Sequence, residues 1–78
     1  MNSDIIKKMP FSMLAEQALL GSILIDPPAL TQISDTVRAE DFHLSEHRQI
    51  YTAMKQLSLL SRDIDPVTLR DELEKEKV

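Results

Sequence analysis

Apolar residues recur along this chain at the spacing of α-helices. The first stretch, from about Met13 to Ile25, is apolar on nearly every side, which predicts a central helix packed against several others. Asp26-Pro27 and Asp65-Pro66 each join a capping side chain to a proline, a combination that favours the start of a helix. The sequence therefore predicts that a helix begins at each of these pairs.

The rest of the pattern supplies shorter apolar stripes. Leu30, Ile33 and Val37 recur at helical spacing after the first proline pair. A short turn of helix brings Phe42 to the core, and Ser45 is the expected N-cap of a longer helix. The predicted fold class is all-α, a compact bundle of four to six short helices. Its last helix looks truncated at the C-terminus, because no glycine, proline or cap comes before the end of the chain.

These stripes also predict which side chains form the core. We expect the buried side chains to include Leu20, Leu24, Phe42, Ile50, Tyr51, Met54 and Leu69. Gly21 lies inside the first predicted helix, where glycine costs about 1 kcal/mol relative to alanine, so we expect another helix to approach it closely. Leu69 and Leu73 either cover the core or present an association surface, and the pattern favours the core.

The 78 residues are enough for one domain. Residues 1–10 are interpreted as a flexible leader that ends at Pro10, and residues 11–78 as the helical domain. Fraying of the leader is the default expectation, although its apolar residues Ile5, Ile6 and Met9 could dock on the body of the domain.

Charge and composition narrow the classes of function. The chain has 13 acidic and 9 basic residues and a net charge of −4, which disfavours direct nucleic-acid binding and favours a protein partner. The absence of cysteine excludes disulfides and thiolate metal sites. Because the longest apolar run, residues 18–25, is too short to span a bilayer, we expect a cytoplasmic protein without membrane contact.

The sequence contains no recognisable catalytic or cofactor motif. One glycine cannot build either of the common phosphate-binding loops, each of which needs at least two. His43 and His47 are spaced for one helical face, but a metal ion would need Asp41 or Glu46 as a further ligand. A cap at Ser45 would also leave His43 outside the helix. We therefore predict no catalytic, cofactor-binding or metal-binding residues in this chain.

Among the charged residues, Arg48 is the one whose contacts the sequence determines least. It could pair with Asp41, or with Glu16 if the long helices pack together. The alternative is a solvated arginine in the first turn of its helix, since exposed ion pairs contribute only about 0–1 kcal/mol.

Four short motifs occur in a fixed order along the chain. They are AEQALLGSILIDP at residues 15–27, EDF at 40–42, HRQIY at 47–51, and ID at 64–65 followed by VTL at 67–69. In this order and spacing they resemble the N-terminal domain of bacterial replicative DNA helicases of the DnaB type, over roughly residues 10–73. The residues that match the family's motifs are Glu16, Gln17, Leu20, Gly21, Leu24, Asp26, Pro27, Asp41, Phe42, His47, Arg48, Ile50, Tyr51, Asp65, Thr68 and Leu69.

The resemblance implies a non-catalytic interaction and oligomerisation domain that acts in DNA replication. In this family the domain precedes a helical hairpin and an ATPase domain, and six copies form a collar on the hexameric ring. The implied partners are other helicase subunits, primase and a helicase loader, with no direct nucleic-acid binding. The implied ATP and magnesium belong to the parent helicase, and none to this chain. The implied location is the bacterial cytoplasm, with the replisome at the nucleoid.

The chain departs from the family pattern at Ser61, at Leu14 and at Pro66, which is not typical after the capping Asp65, and several alternatives stay open. Ser61 stands where the family often has a glycine, so either the turn differs or some strain is tolerated. Leu14 stands where many relatives carry an acidic residue. The nearest alternative is the helicase-interacting C-terminal domain of DnaG-type primases, which has a similar fold. A small helical regulatory domain, a small enzyme without an assembled site, and a helix-turn-helix reader without a basic recognition helix are the others.

Overall fold

The structure, a computed structural model, describes residues 13–76. Those residues form four α-helices and one short 3-10 helix, and no strand occurs among them, which confirms the all-α bundle. The elements are α1 (Met13–Ile25), α2 (Ala29–Ile33), the 3-10 helix (Ala39–Asp41), α3 (Ser45–Leu59) and α4 (Pro66–Glu76). The predicted leader, residues 1–10, and the predicted truncation after Val78 lie outside the described residues.

Helix α3 is the centre of the bundle. It packs against α4, the 3-10 helix and α1, while α2 packs against α1. Its inner face buries Tyr51, Ala53, Met54 and Leu57, all of which are fully covered. Since this helix carries one apolar stripe and one polar face, its sequence already specifies which side turns inward.

Helix α1 is more exposed than its sequence predicts. It buries only Glu16, Leu20 and Ile23, which lie four and three residues apart on one face. Leu14 is 74% exposed and Ile25 is 87% exposed. The prediction of a central helix packed on several sides is therefore wrong, because an apolar composition on every side does not determine how many neighbours the helix receives.

The predicted core is largely confirmed. Leu20, Phe42, Tyr51, Met54 and Leu69 are buried, and Ile50 is partly buried against them. Leu24 is the exception: it is 36% exposed, because α1 turns Leu20 and Ile23 inward. The core also contains Ile23 and Ile64, together with Leu30, Val37, Ala53 and Leu57 from the apolar stripes of the sequence.

No close helix contact explains Gly21. A Cβ atom built on Gly21 would meet no heavy atom of another element within 4 Å. The expected close approach of a second helix is therefore absent from the described part of the chain. The side of α1 that carries Gly21 instead faces open space.

The start of α4 is confirmed in detail. Pro66 is its first residue, and the Asp65 carboxylate accepts hydrogen bonds from the backbone N–H groups of Val67 and Thr68, both at 2.9 Å. The Thr68 hydroxyl in turn accepts from the Asp65 N–H at 3.0 Å. This reciprocal arrangement satisfies backbone donors that the first turn of a helix leaves without intrahelical partners.

The other two predicted starts are shifted. Helix α2 begins at Ala29 and not at Pro27, because the Ala29 N–H donates to the Asp26 carbonyl at 2.9 Å and closes a turn through both prolines. In α3, Ser45 is the first helical residue, and Leu44 occupies the N-cap position. The Ser45 hydroxyl donates to Glu46 at 2.8 Å and does not cap the helix.

Ser61 adopts a left-handed conformation at the end of α3. Its φ is 55°, while the Arg62 N–H donates to the Leu57 carbonyl at 2.9 Å and the Ser61 N–H donates to the Ser58 carbonyl at 3.0 Å. This pair of bonds is the Schellman helix end, which usually places glycine at the left-handed position. The turn is therefore left-handed, and it tolerates the strain of a side chain at this position.

Replacing Ser61 with glycine should stabilise the domain. Glycine removes the steric cost of the left-handed conformation but makes the unfolded chain more flexible, so we expect a net gain of about 0.5–1 kcal/mol. Urea denaturation should show a higher midpoint with an unchanged slope. Ser58→Gly, inside α3, is the matched control and should lose about 1 kcal/mol. A less stable Ser61→Gly protein would contradict the left-handed assignment.

Truncating Phe42 should unfold the domain. Its ring is 3% exposed and lies 4.9 Å from the Tyr51 ring centroid. Phe42→Ala should cost about 3–5 kcal/mol, most of the stability of so small a domain. Thermal unfolding followed by circular dichroism should lose its cooperative transition. A retained sharp transition would contradict the placement of Phe42 in the core.

Candidate functional site

Glu16 connects α1 to the beginning of α3. Its carboxylate is buried and accepts hydrogen bonds from the backbone N–H of His43 at 2.7 Å and of Leu44 at 3.5 Å. The Nδ1 atom of His47 lies 2.7 Å from the same carboxylate. Glu16, which lies 27 residues before His43 in the chain, therefore holds the segment that leads into α3. The negative charge also suits the positive end of the helix dipole.

The environment of Glu16 favours its ionised form. Burial alone would raise the pKa of this carboxyl, because a charged group loses solvation inside the protein. The hydrogen bonds from His43, His47 and Leu44, together with the attraction of His47, outweigh burial and hold the pKa below its ordinary value of 4.5. Glu16 is thus a buried carboxylate that stays charged.

Aromatic side chains continue this junction into the core. Phe42 lies edge-on to His47, with ring centroids 6.5 Å apart, and is tilted against Tyr51. The Tyr51 hydroxyl donates to the Val37 carbonyl at 2.7 Å. Burial, together with the charge of Asp41, raises the pKa of Tyr51 to about 12, so the phenol remains a neutral donor.

Arg48 follows none of its predicted alternatives. Its guanidinium donates to the carbonyls of Phe42 and His43, both at 2.9 Å, and is partly buried. The pairing predicted with Asp41 or Glu16 is replaced by bonds to the backbone. The Asp41 carboxylate accepts from the Arg38 N–H at 2.8 Å. Arg48 therefore fixes the backbone of the loop before α3 to the first turn of that helix.

The two histidines occupy different environments. His43 is exposed in the loop before α3, as the sequence indicates, whereas His47 is buried against Glu16. Among the residues that the structure describes, no group of three or more histidine, cysteine, aspartate or glutamate side chains is placed to hold a metal ion. The polar junction has the geometry of a structural connection between helices.

An open apolar groove lies between α1 and α4. It encloses about 700 Å³. Its lining includes Gly21 and Leu24 of α1, Ile50 of α3, Leu69 and Leu73 of α4, and the ion-paired Arg70 and Glu74 of α4. Because Gly21 carries no side chain, the backbone of α1 itself is accessible to anything that enters the groove. Exposed apolar surfaces of this kind mark sites that bind other proteins or ligands.

The residues that match the family's motifs divide into three sets. The groove is lined by Gln17, Leu20, Gly21, Leu24, His47, Ile50 and Leu69. The junction at the start of α3 contains Glu16, Asp41, Phe42, Arg48 and Tyr51. The turns before α2 and α4 contain Asp26, Pro27, Asp65 and Thr68.

The sequence analysis did not predict that residues of α1, α3 and α4 form one groove. Leu73 is partly buried against the core, as the pattern favoured, and Leu69 is buried; both also line the groove. Met54 and Pro66 also contribute to the lining. The one available signal was Gly21, since an interior glycine without a helix against it points to an open surface.

Fold and site together define a small helical domain with an exposed apolar groove. Within the part of the chain that the structure describes, no helix has both the length and the apolar character needed to cross a membrane.

The chain belongs to the family of DnaB-like helicase N-terminal domains, whose model matches residues 8–78. It is 39% identical over 69 residues to the replicative DNA helicase DnaB of Buchnera aphidicola, which covers 88% of the chain and 15% of the relative. It is 41% identical to the replicative DNA helicase DnaC of Bacillus subtilis, over 82% of the chain and 14% of the relative. For DnaB of Pasteurella multocida the identity is 43%, over 77% of the chain and 13% of the relative. The match supports the helicase resemblance over the primase-domain alternative.

The charge of Glu16 should control stability in acid. Its folded pKa lies below 4.5, so its stabilisation is complete above about pH 4.5 and decreases as the pH falls through the folded pKa. Glu16→Gln should therefore cost about 1.5–3 kcal/mol near neutral pH, and the difference from the original protein should shrink in acid. Urea denaturation from about pH 7 to about pH 3 measures this difference.

Glu40→Gln is the matched control for Glu16→Gln, because the Glu40 side chain is 73% exposed. It should change stability by less than about 0.5 kcal/mol at every pH. A Glu16→Gln protein that keeps its full stability at neutral pH would show that the junction does not depend on the carboxylate.

Proposed function

We propose that this chain is a non-catalytic protein-interaction and oligomerisation domain of a replicative DNA helicase. The observation that carries the proposal is the apolar groove between α1 and α4, whose lining includes Gly21 and Leu69 of the family's motifs. Its partners are other subunits of the helicase, assembled as a collar on the hexamer, together with primase and a helicase loader. The protein would act in the cytoplasm, at the replisome.

The groove suits a helix or an apolar segment of a partner. Leu24 and Leu73 present apolar surface from α1 and α4, and Ile50 adds to it from α3. Covering such surface releases water and stabilises a complex by roughly 25 cal/mol per Å² of apolar area, before the costs of association. Gly21 would allow the partner to approach the backbone of α1 closely. These apolar contacts need no ionised group, and the exposed pair Arg70–Glu74, 3.3 Å apart, would belong to the polar rim of such an interface.

Unwinding itself would depend on parts of the parent protein that this chain does not contain. The chain spans 13–15% of the length of its curated relatives. ATP and magnesium fit poorly here, because phosphate loops require at least two glycines and the chain has one. The net charge of −4 likewise disfavours a phosphate backbone as the partner. The domain therefore contributes contacts, and the nucleotide would bind elsewhere in the helicase.

Filling the groove should abolish partner binding without unfolding the domain. Gly21→Phe places an aromatic ring in open space, so the fold and its thermal transition should be retained. Titration with a purified DnaG-type primase C-terminal domain, and light scattering for self-association, should show at least about a tenfold loss of the affinity that the original chain displays. Thr52→Phe, at an exposed position outside the groove, is the matched control and should bind normally.

Two outcomes would contradict the proposal. One is a folded Gly21→Phe protein that associates as tightly as the original chain. The other is tight binding of single-stranded DNA at ~150 mM salt. An acidic protein should not bind a phosphate backbone tightly at that ionic strength, so such binding would identify nucleic acid as the partner.

A further inference from the structure

His47 belongs both to the junction at Glu16 and to the lining of the groove. Its Nδ1 atom lies 2.7 Å from the Glu16 carboxylate, and the residue is 7% exposed. The groove is the surface that this small exposed part lines. Because the two nitrogens of an imidazole lie on different sides of the ring, the contact of Nδ1 with Glu16 turns Nε2 away from that carboxylate.

The Nε2 atom of His47 opens to the groove. Within the described part of the chain, the ring makes its hydrogen bond through Nδ1, and Nε2 makes none. Every enclosed side-chain nitrogen or oxygen of the described residues does have a partner, so Nε2 is not enclosed and reaches the surface. A side chain more than nine-tenths buried thus presents an unused hydrogen-bonding atom to an apolar groove.

Glu16 determines which nitrogen of the ring carries the proton. Its carboxylate is ionised and only accepts hydrogen bonds, so Nδ1 is the nitrogen that donates. In the neutral imidazole, the other nitrogen is then an acceptor. The groove therefore offers a hydrogen-bond acceptor among apolar side chains, and an occupant must bring a donor to satisfy it.

The charges around the groove favour a neutral donor. Arg70 and Glu74 also line it, and they pair with each other at 3.3 Å while both stay exposed. Glu16, behind the His47 ring, already accepts from three donors. A lysine or arginine of an occupant would lose hydration here without gaining an unpaired carboxylate. A neutral N–H or O–H group meets the acceptor without that cost.

Tryptophan combines the properties that the groove requires. Its ring supplies a large apolar surface, and its indole N–H donates and does not accept. The groove, at about 700 Å³, has the size of sites that enclose such groups. The chain contains no tryptophan, and its single tyrosine, Tyr51, is buried with its hydroxyl bound to Val37. A second copy of this chain therefore supplies no aromatic donor.

We propose that Nε2 of His47 selects the occupant of the groove by accepting a hydrogen bond from the indole N–H of a tryptophan on a protein partner. Leu24 and Leu73 cover the tryptophan ring, and Glu16 holds His47 in the accepting orientation. Partners that present only aliphatic side chains are disfavoured, because they leave Nε2 without a donor. That the tryptophan belongs to a partner rests on the proposed function, whereas the acceptor in the groove does not.

Nitrogen NMR on the full chain tests the state of the ring. With isotope-labelled histidine at about pH 7.5, we expect His47 to show a protonated Nδ1 and an unprotonated Nε2. His47→Gln identifies its signals, because His43 is the only other histidine of the chain. A proton on Nε2 would overturn the proposal.

Indole and benzofuran test the acceptor without a partner protein. The two molecules share a bicyclic shape, but the oxygen of benzofuran replaces the N–H donor. In an NMR titration, indole should shift the amide signals of Gly21, Leu24 and Leu73 and bind about five- to tenfold more tightly than benzofuran. Indole should also move the Nε2 signal of His47, and benzofuran should not. Equal affinities, no binding of indole, or shifts confined to other surfaces would each overturn the proposal.

His47→Asn separates the acceptor from the junction. Its amide can still donate to Glu16, but it places no atom where Nε2 lies. The preference for indole should therefore fall below about twofold. His43→Asn, at the exposed histidine, is the matched control and should keep the full preference. A full preference in His47→Asn would contradict the assignment. If His47→Asn does not fold, the Nε2 signal of the original chain still decides between the outcomes.

Tryptophan fluorescence tests the partner. Because the chain contains no tryptophan, the fluorescence of a mixture with the DnaG-type primase C-terminal domain comes from that domain alone. Binding should shift it to shorter wavelength, and His47→Asn should weaken binding about five- to tenfold. A complex that forms through the groove without this shift would overturn the proposal.

The two proposals fail in different ways. If indole is preferred but no partner binds the original chain, the proposed function is wrong and the acceptor stands. If the partner binds but indole and benzofuran bind alike, the proposed function stands and the role of His47 is wrong.

Discussion

The buried carboxylate of Glu16 is the contact on which the arrangement of the helices depends. It joins α1 to the loop before α3 through two backbone N–H groups and the His47 ring. An unpaired charge in that position would be strongly unfavourable, so the three donors and the carboxylate require one another. Among the described residues, every buried side-chain nitrogen or oxygen has a hydrogen-bond partner, and the junction belongs to that pattern.

The junction also determines which side of α1 remains open. With Glu16 held against His47, Leu20 and Ile23 follow on the same face and enter the core. Gly21 and Leu24 are then rotated toward α4, where the bundle leaves a groove. One polar contact thereby orients an apolar helix that has no polar face to orient it. The apolar groove of this helicase-family domain is a consequence of that orientation.

Sequence reasoning succeeded where a signal is local. The cap and proline at the start of α4, and the single apolar stripe of α3, are patterns within a few residues, and both were predicted correctly. It failed where several residues compete for one role. Ser45 has the side chain of an N-cap, yet the neighbouring backbone N–H groups bind Glu16 from another helix. Arg48 has two acidic candidates nearby but binds carbonyls instead.

The sequence by itself determined the fold class, the family and most of the core. Helical periodicity, helix starts and motif order are properties of the chain that need no tertiary contact. Only the tertiary structure decided that Leu24 faces outward, that Gly21 borders open space, and that Glu16 binds the backbone just before a distant helix. The physical reason is that an all-apolar helix offers equivalent faces. The choice among them depends on a buried charge whose partners lie 27 to 31 residues away.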